Sequence, residues 1–85
     1  MYLARIRLKK SDRDCRQWMT NPERIHGAVE SCFEQKTPRE RHLWRLDKFK
    51  DDMYLLILSE VFPDVTQLVS SYGETYDILS LEELP

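Results

Sequence analysis

An imidazole beside the apolar stripe of a predicted helix is the group in this sequence best suited to proton transfer. Ile25, Ala28 and Val29 recur at the spacing of a buried helix face. His26 lies about 100° around the helix from Ile25, at the edge of that face. An imidazole at such a boundary can rest one nitrogen against the protein and offer the other to a ligand, and it exchanges protons near neutral pH. His26 is therefore the candidate for acid–base chemistry, although most boundary histidines have no catalytic role.

The second histidine and the two cysteines predict no metal or cofactor site. His42 lies on the apolar side of the alternating stretch HLWRL, which is typical of a partly buried strand residue. His26 and Glu30 form an isolated i, i+4 pair, which is weak support for a metal ligand set. Cys15 and Cys32 have the spacing of neither a disulfide framework nor a zinc site. We therefore expect neither a metal nor a cofactor, and Cys32 is expected to be a small core residue.

Two groups of basic side chains are candidates for binding an anion. Arg5, Arg7 and Lys9 share one face of the first predicted strand, and the second group surrounds the start of the next strand: Lys36, Arg39, Arg41 and Arg45. The net charge of −2 argues against binding of nucleic acid through the overall field of the protein. A nucleic acid must then be held by a local patch. A solvated outer face of a sheet explains the same residues equally well.

Hydrophobic periodicity predicts the element order β-α-β-β-α, followed by a possible last strand. Strands are predicted over residues 2–9, 41–49 and 53–60, helices over 21–34 and 63–73, and a short last strand over 76–79. Residues 10–20 are predicted to be a connection that has room for a short helical turn and packs Trp18, and Trp44 is predicted to be core. The resulting fold is α+β and ferredoxin-like (RRM-like), a split βαβ antiparallel sheet with two helices on one face and a last strand that is uncertain or missing.

Length and composition predict one small domain in the cytoplasm. The 85 residues are 41% hydrophobic and 33% charged, which is ordinary for a folded domain. No apolar run approaches the roughly 20 residues needed to cross a bilayer. The first ten residues alternate apolar and charged side chains, which does not fit a signal peptide.

Three stretches of the sequence resemble the CasE family, the CRISPR-associated endoribonucleases of type I-E systems in the RAMP superfamily. They are MYLARIRL at the start, NPERIHGAVESCF with its histidine in the first helix, and RERHLWRLD. They occur in the family's order over residues 1–47, and residues 53–73 match it in pattern only. Members of this family carry two ferredoxin-like domains in tandem. The resemblance implies that residues 1–85 are the N-terminal domain alone and that the second domain is absent.

The resemblance also implies a function in antiviral defence. CasE-like endonucleases cut precursor CRISPR RNA at the base of the repeat hairpin without a metal. The ribose 2′-hydroxyl attacks the adjacent phosphate, and the enzyme then stays on the product hairpin inside the Cascade complex. The matching histidine is His26, and its implied role is general base or general acid. The implied partners are the repeat hairpin and other Cascade subunits.

One position departs from the family's pattern beside this histidine. Some relatives carry a tyrosine three residues before it, where this chain has Glu23. A carboxylate donates no hydrogen bond to a phosphate and repels it. The hydrogen bond that the tyrosine would donate to the phosphate is then either absent here or supplied by Arg24 or a basic residue of the second strand. The candidate RNA-binding residues are Arg24, Lys36, Arg39, Arg41 and Arg45.

As a fragment, the nuclease is expected to be weak or inactive. Two other functions remain open. One is a non-catalytic ferredoxin-like module for protein interaction, and the other is an RNA-binding domain without cleavage. The nuclease requires an accessible His26 with basic side chains around it. The interaction module requires a packed His26 and an apolar patch on the sheet, and the RNA-binding domain would place Tyr54 outward on the sheet. Self-association through an open sheet edge fits either the nuclease or the interaction module.

Overall fold

Four strands form one antiparallel sheet, and three helices accompany it in the described part of the chain. The computed structural model describes residues 1–33 and 42–81. The strands are β1 (Tyr2–Leu8), β2 (His42–Phe49), β3 (Asp52–Ser59) and β4 (Gly73–Ser80), and the helices are α1 (Arg13–Met19), α2 (Pro22–Glu30) and α3 (Thr66–Tyr72). The strand order is β2-β3-β1-β4, so β1 and β3 are central, as in the ferredoxin-like fold that the sequence predicts. The α+β, ferredoxin-like fold expected from the sequence is confirmed.

The core lies between the three helices and one face of the sheet. Its buried side chains are Ala4, Ile6 and Leu8 of β1, Leu55 and Ile57 of β3, Cys15 and Trp18 of α1, Ile25 and Val29 of α2, Leu68 of α3, and Cys32 and Val65 from the adjoining turns. Trp18 is 1% exposed, and its ring stacks on that of Tyr72 with centroids 4.2 Å apart. The prediction that Trp18 packs into the core is confirmed, and Trp44 also packs against the core as predicted.

The last strand is longer than the sequence prediction allowed. The short last strand predicted over residues 76–79 is present, but it extends further in both directions, because β4 spans Gly73–Ser80. It pairs with β1 along nearly its whole length, from Tyr2 opposite Ser80 to Leu8 opposite Gly73. Hydrophobic alternation is weak in β4 because the strand lies at the edge of the sheet and most of its side chains are exposed. Within the described residues, the edges of the four-stranded sheet are β2 and β4.

The segment predicted as a connection over residues 10–20 contains helix α1. The Asp12 side chain caps this helix by accepting a hydrogen bond from the backbone N–H of Cys15 at 3.0 Å. Cys15 and Trp18 are three residues apart and are both buried, which is the spacing of one helix face. A third helix therefore joins the two that were predicted.

The other two helices are shorter than predicted. Helix α2 begins after Asn21 as expected, and the Asn21 side chain accepts a hydrogen bond from the backbone N–H of Arg24. It ends at Glu30 rather than at residue 34, so Cys32 is buried from a turn after the helix. Helix α3 begins at Thr66 rather than at residue 63. Gly27 lies inside α2 and Gly73 follows the last residue of α3, so the two glycines make a matched pair for mutation.

Gly73→Ala is expected to destabilise the domain, whereas Gly27→Ala is expected to stabilise it. A Cβ atom at position 73 would lie 2.9 Å from Cγ2 of Ile6 and 3.0 Å from Cα of Val69, which forces the packing apart. The loss is expected to be about 1–3 kcal/mol. A Cβ at position 27 meets nothing within 4 Å, and alanine improves the helix by about 0.5–1 kcal/mol. Urea unfolding followed by circular dichroism measures both; equal stabilities for the two variants would contradict the packing argument.

Candidate active site

Helix α2 places the His26 imidazole on the protein surface beside the core. Ile25 and Val29 on the same helix are 1% and 0% exposed, and they fix the buried face. His26 is displaced about 100° from Ile25, and its side chain is 62% exposed. The imidazole is therefore accessible to a ligand. The nuclease interpretation requires this exposure, whereas the interaction module requires a packed His26.

Glu30 connects His26 to the second histidine. Oε1 of Glu30 lies 2.6 Å from Nε2 of His42 and 3.6 Å from Nε2 of His26. The first distance is a short hydrogen bond, and the second is too long for one but close enough for electrostatic attraction. One carboxylate oxygen thus faces two imidazoles, one from α2 and one from β2. We call His26, Glu30 and His42 the histidine–carboxylate cluster.

His42 is the buried member of this cluster. Its side chain is 11% exposed, because the alternation of β2 turns it toward the helices together with Trp44 and Leu46. Its ring stacks on the ring of Phe33, with centroids 4.4 Å apart and planes 18° apart. Nδ1 of His42 is buried and makes no hydrogen bond with the described residues. The prediction of a partly buried strand residue is confirmed.

The charges beside His26 in the described structure are negative. Glu23 precedes His26 by three residues and Glu30 follows it by four, so both carboxylates belong to the helix face that carries the imidazole. Within residues 1–33 and 42–81, no three or more histidine, cysteine, aspartate or glutamate side chains form a group that could hold a metal ion. The chemistry available here is proton transfer by an imidazole beside a carboxylate.

Arg24 does not share this face with His26. The two residues are two positions apart on α2, which places them on opposite sides of the buried stripe. The guanidinium of Arg24 donates a hydrogen bond to the hydroxyl of Tyr72 at 3.3 Å, on the side of α3. An RNA contact by Arg24 would therefore lie away from the phosphate that His26 can reach.

Arg45 lies on the other side of the sheet. In β2, its neighbour Trp44 packs against the core, so the alternation turns Arg45 to the outer face, where its side chain is 73% exposed. Asp47 is its ion-pair partner at 3.8 Å. The remaining predicted RNA-binding residues, Lys36, Arg39 and Arg41, lie outside the described residues.

The outer face of the sheet has a charged end and an apolar end. At the charged end Arg5 pairs with Asp77 at 2.7 Å, and Arg7 pairs with Asp52 at 3.1 Å. These arginines are neutralised by carboxylates, so they make a poor phosphate surface. Tyr54 lies between Arg7 and Asp47 in the register of this face, as an RNA-binding sheet would require.

The apolar end of the outer face carries four leucines that line a shallow groove. They are Leu3, Leu43, Leu56 and Leu58, and we call them the leucine patch. Leu43 is 68% exposed, which is high for a leucine in a strand. The structure therefore combines the accessible His26 of one interpretation with the apolar patch of another.

Both cysteines are buried and are not part of this site. Cys15 is 0% exposed and Cys32 is 4% exposed. Burial raises the pKa of the Cys15 thiol, and burial, with a smaller effect of Asp64, raises the pKa of the Cys32 thiol to about 11. A thiol with a raised pKa is a poor nucleophile at neutral pH. The prediction that Cys32 is a core residue is confirmed.

The raised pKa of Cys32 predicts a loss of stability at alkaline pH. The unfolded thiol ionises from about pH 9, whereas the folded thiol stays protonated until about pH 11. The free energy of unfolding is expected to fall as pH rises through this interval, because only the unfolded state releases the proton. Urea unfolding at several pH values measures the effect against Cys32→Ala. An equally steep decline in that variant would assign the pH dependence to other groups.

Sequence reasoning missed the connection between the two histidines. It treated His26 and Glu30 as an isolated pair and His42 as a separate strand residue. The pairing depends on where β2 begins relative to the end of α2, which no local periodicity gives. The available signal was the inward position of a histidine at the first residue of β2, because a buried imidazole needs a hydrogen-bond partner.

Comparisons with known proteins agree on the family and on the fold. The sequence model described as "CRISPR associated protein" matches residues 1–85. A CRISPR-associated protein from Thermus thermophilus is 24% identical with a TM-score of 0.80, over 95% of this chain and 45% of that one. The CRISPR endoribonuclease Cse3 bound to a 19-nucleotide RNA is 22% identical with a TM-score of 0.80, over 99% of this chain and 44% of that one. None of the curated proteins matches the chain.

The two solved structures share the fold of this chain and are each more than twice as long as the matched part. The helices described within residues 1–33 and 42–81 are all too short to span a membrane. Since the family model matches the whole sequence, the chain belongs to the CRISPR associated protein family.

Proposed function

We propose that this chain is the catalytic half of a metal-independent endoribonuclease that cleaves precursor CRISPR RNA at the repeat hairpin. The observation that carries the proposal is the exposed imidazole of His26 beside the Glu30 carboxylate. Membership of the family and the fold shared with an RNA-bound endoribonuclease support it. The chain covers less than half of that endoribonuclease, so we expect residues 1–85 alone to bind RNA weakly and to cut it poorly or not at all.

The proposed reaction uses a nucleophile that the RNA itself supplies. A base removes the proton from the ribose 2′-hydroxyl, the 2′-oxygen bonds to the adjacent phosphorus, and the bond from phosphorus to the 5′-oxygen breaks. The departing 5′-oxygen takes a proton from a general acid. The products are a 2′,3′-cyclic phosphate and a 5′-hydroxyl. His26 serves as the base or as the acid, a role that typically contributes about 10²–10⁴-fold in rate.

Phosphate binding is assigned to the basic residues predicted from the sequence. Lys36, Arg39 and Arg41 belong to the connection between Phe33 and His42, whose rings stack beside Glu30. Arg24 and Arg45 are assigned to RNA outside the cleavage point, since they lie on two other surfaces. After cleavage the enzyme is expected to stay bound to the cut hairpin and to other Cascade subunits.

A cleavage assay in the presence of a chelator tests the proposal. The gene product that contains this chain is incubated with a labelled type I-E repeat hairpin. We expect one cut that leaves a cyclic phosphate. The matched substrate carries a deoxyribose at the nucleotide before the scissile phosphate, and it is expected to remain intact. Cutting of the deoxy substrate, or strict dependence on a divalent cation, would contradict the proposed chemistry.

The leucine patch favours a second function, that of a non-catalytic protein-interaction module. Leu43 at 68% exposure is the side chain most available for such a contact. Association could also use a sheet edge, β2 or β4, with a second copy of the chain. A gene product that neither binds nor cuts the hairpin, yet self-associates in gel filtration and loses that association in Leu43→Lys, would favour this module over the nuclease.

A further inference from the structure

We propose that Glu30 is a positioning residue that orients the His26 imidazole for proton transfer, and that His42 holds Glu30 in place. The inference rests on the proposed nuclease function and extends it to two residues that no sequence motif identified. Its starting point is the histidine–carboxylate cluster, in which one oxygen faces Nε2 of both imidazoles at 2.6 Å and 3.6 Å.

The surroundings of His42 decide which nitrogen carries its proton. Nε2 lies 2.6 Å from a carboxylate oxygen of Glu30, and since a carboxylate oxygen accepts hydrogen bonds, Nε2 is the nitrogen that carries the proton and donates it. Nδ1 is buried and makes no hydrogen bond with the described residues, which agrees with this assignment. This ring is held by the stack on Phe33 and by burial. Glu30 is thus fixed by a rigid partner and is not a freely rotating surface carboxylate.

The fixed carboxylate of Glu30 acts on His26 by electrostatic attraction. Its oxygen lies 3.6 Å from Nε2 of His26, and a small movement on RNA binding would close this gap to a hydrogen bond. Nε2–H then points to Glu30, and Nδ1, which makes no hydrogen bond with the described residues, is left to face the RNA. In the base role, Nδ1 takes the proton of the 2′-hydroxyl, and the imidazolium that forms keeps Nε2–H directed at Glu30. The carboxylate stabilises that cation without taking its proton.

Glu30→Gln in the gene product that contains this chain tests the assignment. We expect the single-turnover cleavage rate at saturating enzyme to fall at least about tenfold. A positioned proton-transfer group contributes roughly 10²–10⁴-fold in rate, and loss of its positioning residue should remove part of that contribution. Hairpin binding is expected to be at least as tight as in the wild type, because the substitution removes a carboxylate that repels phosphate. Glu23→Gln is the matched control, because it removes the other carboxylate from the same face of α2, and it is expected to cut at least as fast as the wild type.

A double-mutant cycle separates positioning from a merely structural role. Glu30→Gln is expected to slow cleavage in the wild-type background and to have no further effect in the His26→Ala background, because it acts through His26. His42→Phe preserves an aromatic ring against Phe33 but frees Glu30, and a smaller decrease in rate is expected. This second variant keeps the test decisive if Glu30→Gln is poorly folded.

The outcomes distinguish this inference from the function on which it rests. No cleavage by the wild type would overturn the nuclease itself. Cleavage that needs His26 but proceeds at the wild-type rate in both Glu30→Gln and His42→Phe would overturn only the positioning role. An equal slowing by Glu30→Gln with and without His26, or weaker hairpin binding at an unchanged cleavage rate, would also overturn it.

Discussion

His26→Ala is expected to lower the rate of hairpin cleavage by about 10²–10⁴-fold in the gene product that contains this chain. The substitution removes the only described side chain that combines a titratable imidazole with high exposure, 62%. Since the His26 side chain is mostly exposed, the free energy of unfolding is expected to change by less than about 0.5 kcal/mol. The measurement is single-turnover cleavage of a labelled hairpin with chelator present.

Two controls make this result interpretable. Hairpin binding, measured by gel shift, is expected to be retained in His26→Ala, because the variant loses no cation that holds phosphate. Gln17→Ala on helix α1 changes another exposed side chain and is expected to cut at the wild-type rate. If His26→Ala also cut at the wild-type rate, His26 would be a boundary residue without a catalytic role. If it lost binding as well as cutting, the histidine would belong to RNA recognition.

Trp18→Ala is expected to destabilise the 85-residue domain by about 3–5 kcal/mol. The indole is 1% exposed and stacks on Tyr72 at 4.2 Å, so its loss leaves a cavity between α1 and α3. Small domains are typically stable by only about 5–15 kcal/mol, which makes this a large fraction of the total. Urea unfolding followed by circular dichroism measures the loss independently of tryptophan fluorescence.

Leu43→Ala is the matched control for the Trp18 variant. Leu43 is 68% exposed on the outer face of the sheet, and its truncation is expected to change stability by less than about 0.5 kcal/mol. A loss below about 1 kcal/mol in Trp18→Ala would mean that the three-helix layer repacks around the missing ring. A large loss in Leu43→Ala would instead indicate that the leucine patch is covered in solution.

The central strands and the start of the main helix could be predicted from local signals. In β1, apolar and charged residues alternate, β3 is apolar on both faces, and Asn21 followed by Pro22 is a strong helix start. Each of these signals is contained within a few neighbouring residues. The position of His26 at the edge of a buried helix face follows from the same local pattern.

The elements and contacts that the sequence did not predict depend on residues that are far apart in the chain. Strand β4 is stabilised by its pairing with β1, whose partner residues lie 65 to 78 positions away along the chain, and its own alternation is weak. Helix α1 has only Cys15 and Trp18 as buried anchors in a polar segment. The contact of Glu30 with His42 depends on how β2 returns beside α2. In all three cases the stabilising partner is distant in sequence, so no local pattern could identify it.

The strand order β2-β3-β1-β4 determines when the sheet can form during synthesis. Of these four strands β1 leaves the ribosome first, and its two partners are β3 and β4, which begin at Asp52 and Gly73. At about 5–20 residues per second, β1 waits on the order of seconds before either partner exists. Only the β2–β3 hairpin joins strands that are adjacent in sequence. Until β4 emerges, Ala4, Ile6 and Leu8 belong to a strand with an unpaired side, which is the period when the nascent chain is most open to misassociation.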